Sequence, residues 1–346
     1  MTPALSPIQT RRTSIPVLLL LVLILTGLTI LGAGIGSSFI PPEQVINAIF
    51  GAGNRTDDII LWTLRLPRVA LALASGAALA LAGAILQRVI RNPLAAPSIL
   101  GITDGAATGV VAFLWVFSDA NNNLIISVHW QPLAAIIGAI VFTLVTGILV
   151  FADPRSGPLS LILYGIAMAA LAKAIMTLLI ILGPIYRASQ AMTWLTGSVG
   201  AAHWSDVAIL STLLAATIPL LILAARPLTQ MQLDNDSARA TGLTLGRAQV
   251  ALILLAVILT SAAVAFVGAI GFVGLIAPHM ARELAGQGRA AYLPATALIG
   301  ACLVLGADIL ARILITPLEL PTGAITALIG APLFLTLLIR RRSVLA

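Results

Sequence analysis

The sequence predicts an all-α integral membrane protein of about ten transmembrane helices with both termini in the cytoplasm, and three observations carry that reading. Hydrophobic residues make up 60% of the 346 and charged residues only 9%, too oily a mixture for a water-soluble fold. Many apolar runs exceed the roughly 20 residues that a helix needs to cross a bilayer. Arginine is also distributed unevenly between the connections, as the positive-inside rule requires. With the N-terminus inside, Arg11, Arg12, Arg88, Arg91, Arg155, Arg226, Arg239, Arg247, Arg282, Arg289, Arg340, Arg341 and Arg342 are cytoplasmic. Arg55, Arg65, Arg68, Arg187 and Arg312 remain outside. This bias accounts for the net charge of +7 without any nucleic-acid partner.

The expected spans, in order, are 15–36, 66–88, 97–118, 131–151, 158–183, 205–225, 248–267, 268–283, 291–312 and 320–339. Gly268, Gly271, Gly274 and Pro278 interrupt the eighth, which should be short or bent. The first run follows Arg11 and Arg12 but is too long for the apolar core of a signal peptide, so it reads as a span. The expected organisation is one membrane domain over 15–342, flanked by a tail at 1–14 and a tail at 343–346.

One polar island breaks the apolar chain, within a cytoplasmic loop at 228–247 that contains QMQLDNDSARATGLTLGR, Gln230 to Arg247. Asp234 is a good N-cap, Asn235 to Thr241 suffice for two turns, and Gly242 stands where a helix stops. Thr244 can cap the next apolar helix. A helix of about seven residues, roughly 10 Å long, does not hold itself together in water and needs something packed on it. A partner that pushed this loop would push the spans on both sides.

Several chemistries are excluded. No GxxxxGK[ST] phosphate loop exists, and the only lysine, Lys173, lies in the fifth span, so the chain has no such site for ATP. His129, His203 and His279 are far apart and no CxxC occurs, so no metal site is expected; Cys302 is a lone thiol in a span. Carboxylates within spans are scarce, Asp308 and Asp104 being the clear cases, which argues against a carrier coupled to protons or sodium. No span carries a nucleophile–base pair, which argues against an intramembrane enzyme.

Eight motifs occur in order: RLPR at Arg65–Arg68, GAALALAGAILQ at Gly76–Gln87, RNPLAAPSILG at Arg91–Gly101, WLTGS at Trp194–Ser198, ARATGL at Ala238–Leu243, GFVGLIAPHMAR at Gly271–Arg282, GADILAR at Gly306–Arg312 and LELPTGAITALIGAP at Leu318–Pro332. From about residue 60 onward the chain therefore resembles the permease subunits of ABC importers for ferric siderophores, haem and cobalamin (the FecCD type), and is closest to those for ferric siderophores or ferric citrate. The resemblance implies the type II ABC importer permease fold and a second permease copy or paralogue. It also implies two cytoplasmic ATP-binding subunits that hold the ATP and Mg, and an extracytoplasmic binding protein. The chain itself should bind no cofactor and catalyse no reaction, and its cargo should be an iron chelate.

The resemblance also assigns sites, each with a plainer alternative. Asp234, Asp236, Ser237, Arg239, Ala240 and Gly242 would form the helix that seats in the ATPase dimer; otherwise they are a solvated loop. Arg65, Arg68 and Arg312 would face acidic knobs on the binding protein. Alternatively, Arg65 and Arg68 snorkel at the interface and Arg312 pairs with Asp308 one turn away. Asn92 and Leu94 would close the cytoplasmic mouth of the pathway, with Ser156 to Ser160 opposite; otherwise they form a turn anchored by Arg91. Apart from the resemblance, an ammonium in lipid is costly enough that Lys173 should face protein, water or an anion: it would line the path and attract an anionic chelate, or else is a buried lysine bonded to backbone carbonyls or a neighbouring helix. His279, with Arg282 and Glu283, reads as structural.

Overall fold

The computed structural model describes residues 14–36, 39–119, 123–152, 158–183, 185–286, 288, 290–315 and 318–345. The tail at 1–13, Arg155, Arg289 and Ser156 of the suggested opposing gate lie outside them. The regular structure among the described residues is helical, apart from one isolated bridge between Ser118 and Leu124. In order the helices are α1 (Ser14–Gly34), α2 (Pro42–Ile49), α3 (Arg55–Ile60), α4 (Leu66–Val89), α5 (Ile102–Val116), α6 (Gln131–Ala152) and α7 (Pro158–Leu182). Then come α8 (Ile185–Thr196), α9 (Trp204–Gln230), α10 (Asn235–Ala240), α11 (Leu245–Val267), α12 (Val273–Ala285), α13 (Tyr292–Ile313) and α14 (Thr322–Leu345).

Among the described residues seven helices, counting α3 and α4 as one through the π-turn at Leu61–Arg65, are long and apolar enough to cross a membrane. Each of the ten expected spans contains a helix, but α5 and α12 have only 15 and 13 residues. At 1.5 Å per residue, 13 residues make about 20 Å, well short of a bilayer core of about 30 Å. Helix α12 starts five residues later than expected because 268–272 leaves the helical path. Gly268 takes φ +69° and Phe272 takes φ +66°. The Trp194 carbonyl receives the Ala269 N–H, while Ser198 N–H reaches back to Val267. The WLTGS segment thus holds this stretch in place. The short α2, α3 and α8 occupy connections that the apolar pattern leaves as loops.

Helix α4 is the axis of the molecule: it packs chiefly on α13 and α11, then on α12 and α9, and is buried nearly all round. Its small residues permit this. In a membrane, helices gain little from hiding apolar surface from one another and pack closely where side chains are small. Gly83 lies against the backbone of Gly274, and Gly76 against that of Gly300, so an added Cβ at either would overlap a main-chain carbonyl. Helices α5, α6 and α7 form a second group on one flank. We expect Gly83→Val to prevent folding: overpacking alone costs about 1–3 kcal/mol, and here the obstacle is backbone that cannot turn aside. Loss of monodisperse protein after detergent extraction is the expected result.

Candidate coupling and gating site

The polar island folds as its residues dictate. Asp234 takes an extended conformation and its Oδ2 accepts the Ser237 N–H at 3.0 Å, closing the start of α10. These bonds, from Ser237 first, hold the Asp234 carboxyl below its usual range. A lowered folded-state value means that the cap is fully present above the ordinary aspartate pKa and is lost only as pH falls through the lowered value. At the other end, Gly242 has φ +83°; its N–H bonds the Arg239 carbonyl at 2.9 Å, and the Leu243 N–H bonds that of Ala238 at 3.3 Å. This pair of bonds is a Schellman stop. Asp234, Asp236, Ser237, Arg239, Ala240 and Gly242 are all exposed, whereas Ala238 is fully buried. Arg239 and Asp236 form only a loose exposed pair at 3.7 Å. The helix is pinned beneath by one alanine and presents the rest outward. Asp234→Asn keeps the accepting oxygen and should hold the start of α10 nearly as well as wild type, whereas Asp234→Ala should fray it, read as several-fold faster hydrogen exchange at the Ser237 amide.

The loop is joined to the turn after α4. Arg91, at φ +55°, donates from Nε to the Met231 carbonyl at 2.9 Å. Asn92 N–H bonds the Gln87 carbonyl at 3.1 Å, and Asn92 Oδ1 accepts the Leu94 N–H at 2.9 Å. Pro93 and Pro97 forbid continuation of the helix, so these bonds close a tight turn that presents Leu94 partly exposed. The next turn, 97–100, packs on Gly165 of α7. Residues Asn92 and Leu94 therefore lie one arginine away from Met231, which ends α9 and opens the loop that carries α10. From the sequence Arg91 reads only as the anchor of a turn; no spacing rule links 91 to 231, and its positive φ is visible only in three dimensions.

At the opposite end of α4 the three arginines occupy a different setting from the outward-facing forks expected. Arg65, Arg68 and Arg312 are only 6%, 7% and 8% exposed. Arg65 Nη1 donates to the carbonyls of Ala33 and Gly34, at 3.0 and 2.6 Å. Arg312 Nη1 donates to those of Gly32 and Ile35, at 2.9 and 2.7 Å, so two guanidinium groups close the C-terminus of α1. Asp308, wholly buried, lies 2.8 Å from Arg312 Nη2 and 2.9 Å from Arg68 Nη2. Arg68 also meets the exposed Glu319 at 2.7 Å. The physical cause is satisfaction: helix-end carbonyls and a carboxylate cannot be buried here without donors. The i,i+4 alternative for Arg312 is present, together with the Arg68 contact that the sequence gave no reason to expect.

Lys173 stands sixteenth in the 25-residue α7, so its ammonium is near mid-span, and its side chain is 64% exposed. Its ion-pair partner among the described residues is Asp104 of α5, at 3.8 Å. An ammonium facing lipid at that depth costs about 2.5–3.5 kcal/mol on insertion scales. His279 comes within 4.0 Å of Glu283 one turn along α12, and among the described residues no cluster could hold a metal.

Comparison with known proteins accords with this architecture. The FecCD transport family model matches residues 19–340. YfhA of Bacillus subtilis (strain 168), assigned as a siderophore transport system permease protein, is 46% identical, with 93% of this chain and 94% of that protein aligned. The Fe(3+)-citrate import system permease protein YfmE of the same organism is 39% identical over 95% of this chain and 97% of its own length. A solved inward-facing structure assigned to a metal-chelate type ABC transporter superposes with a TM-score of 0.83 at 30% identity, covering 94% of this chain and 99% of that one. The chain belongs to the FecCD transport family.

Proposed function

We propose that this chain is the membrane-spanning permease subunit of an ABC importer that carries a ferric siderophore or ferric citrate across the cytoplasmic membrane of a bacterium. It works beside a second permease copy or paralogue, is driven by two ATP-binding subunits and is fed by an extracytoplasmic binding protein. It crosses the membrane ten times with both termini and α10 inside. Iron chelate is cargo here, and ATP with Mg belongs to the partner subunits.

One observation carries the reading. The turn bearing Asn92 and Leu94 is tied through Arg91 to Met231 at the end of α9, and the exposed, doubly capped α10 follows four residues later in the same loop. A partner that grips Asp236, Ser237, Arg239 and Ala240 can therefore move the inner turn through one short linkage. The names of the relatives support the cargo class. The test is reconstitution with the ATP-binding subunits and binding protein in liposomes. ATP-dependent uptake of ferric citrate or a ferric siderophore is expected; uptake by the permease alone would instead reveal a secondary carrier.

Docking of the binding protein belongs to the end holding Arg65, Arg68 and Arg312. Three guanidinium groups stand there against the buried Asp308, with Asp57 near Arg65, and Glu319 is the exposed carboxylate of the cluster, whose field an approaching partner meets. Such fields govern encounter rates with acidic partners. Glu319→Gln should therefore raise the association rate of an acidic binding protein at low salt, with the gain vanishing at high salt. Stopped-flow association at two ionic strengths checks this.

A further inference from the structure

The pair formed by Lys173 and Asp104 has the features of a cargo contact. Its two residues lie 3.8 Å apart, beyond hydrogen-bond distance, with the lysine largely exposed and the aspartate 20% exposed. The aspartate end is firmly held. Thr108 Oγ1, one turn above Asp104, donates to the carbonyls of Asp104 and of Ala172 at 2.9 and 3.1 Å, clipping α5 to α7 beside the pair. The lysine end is a flexible stem with no second ionic partner among the described residues.

The exposed face of α6 is aliphatic, with Ile137, Ile140, Val141, Leu144 and Ile148. The exposed residues of α7 nearest Lys173 are Ala170, Leu171, Ala174, Thr177 and Leu178, so the ammonium shares its face with small and polar side chains as well as leucine. Asp104 is also the third residue of α5, just beyond the 97–100 turn that follows Leu94. A charge arriving at Lys173 thus acts next to the segment leading down to the inner turn.

We propose that Lys173 is the point at which this permease holds an anionic ferric chelate in transit, and that Asp104 is the counter-ion that occupies the ammonium while the path is empty. Carboxylate or catecholate oxygens of the chelate take the place of Asp104 on Lys173, and the lysine returns to Asp104 when the cargo leaves. This inference rests on the importer reading above and adds the charge of the cargo and the residue that meets it. A fixed cation alone would hold an anion too long; the neighbouring carboxylate provides the competition that releases it.

The test uses the full complex in liposomes. Thr177→Cys, one turn along α7 from an intact Lys173, on a Cys302→Ser background, is treated with a membrane-impermeant anionic methanethiosulfonate. Modification is expected, and saturating ferric citrate or a ferric tris-catecholate should slow it about tenfold, the lower end of what one contact to a charged group contributes. No modification at 177, while a control cysteine at Thr244 reacts, would overturn the proposal; so would modification that neither chelate slows. In transport, Lys173→Gln should lower uptake of whichever anionic chelate the wild type carries by about tenfold, with Lys173→Arg restoring most of it. Unchanged uptake by Lys173→Gln would also overturn it. Absence of ATP-driven uptake by the wild-type complex counts against the importer reading instead, and the labelling of position 177 still reports whether this face meets water.

Discussion

Asp308→Ala is expected to destabilise the protein severely, with a sharp fall in the temperature at which it aggregates in detergent. Asp308 is wholly buried, holds Arg68 through a two-toothed contact at 2.9–3.1 Å and Arg312 at 2.8 Å, and accepts from Thr322 at 3.3 Å. Removing it leaves two guanidinium groups in a site built for a carboxylate. Breaking a buried ion pair by deleting one partner typically costs about 3–5 kcal/mol, because the other charge stays buried without compensation. Arg312 still has the α1 carbonyls, so the uncompensated group is chiefly Arg68, whose remaining anion, Glu319, is exposed. Asp308→Asn keeps an accepting oxygen and the side-chain volume and should lose clearly less. Thermal unfolding of the two variants side by side is the measurement; equal and small shifts in both would show that the pair contributes nothing net. The same logic explains why alanine substitution of Arg68 or Arg312 is a poor test of docking: it removes structural partners of α1 and α13 together with surface charge.

Gly242→Val should leave the protein inserted and folded yet abolish ATP-driven transport. The reason is local. Gly242 holds φ +83°, and nothing lies within 4 Å of where its Cβ would stand, so the penalty is wholly conformational. A β-branched residue is a poor occupant of the left-handed region, at a cost on the order of 1–3 kcal/mol. A single turn and a half of helix, pinned by buried Ala238, cannot absorb that, so the stop unwinds and the exposed face of α10 loses its shape. The apolar spans do not depend on this turn, which is why insertion survives. Gly242→Asn, which tolerates φ > 0 better than other side chains, should recover part of the activity. Uptake in proteoliposomes, alongside the yield of ATPase subunits in pull-down, separates loss of coupling from loss of protein. Normal uptake by Gly242→Val would remove α10 from the coupling role.

The residues that the sequence read correctly are those whose determinants are local. Apolar runs longer than a bilayer core set where α1, α4, α6, α7, α9, α11 and α13 lie, because a backbone in lipid has no other way to satisfy its hydrogen bonds. Asp234, the six-residue α10 and Gly242 were likewise legible, since a cap and a stop involve neighbours three to five positions apart. What only the tertiary structure decided involves partners far along the chain. Arg68 meets Asp308 across 240 positions, Arg91 meets Met231 across 140, and Lys173 meets Asp104 from another helix. Helix periodicity carries no information on which helices adjoin. The shortening of α12 was hinted at by its glycines but fixed by Trp194 and Ser198 in a separate segment. Arg65, Arg68 and Arg312 show the difference most clearly. Sequence placed them correctly at the ends of helices, but whether a guanidinium faces outward or turns to a helix terminus and a buried carboxylate depends on where α1 and α13 come to rest beside α4, and that is a matter of packing.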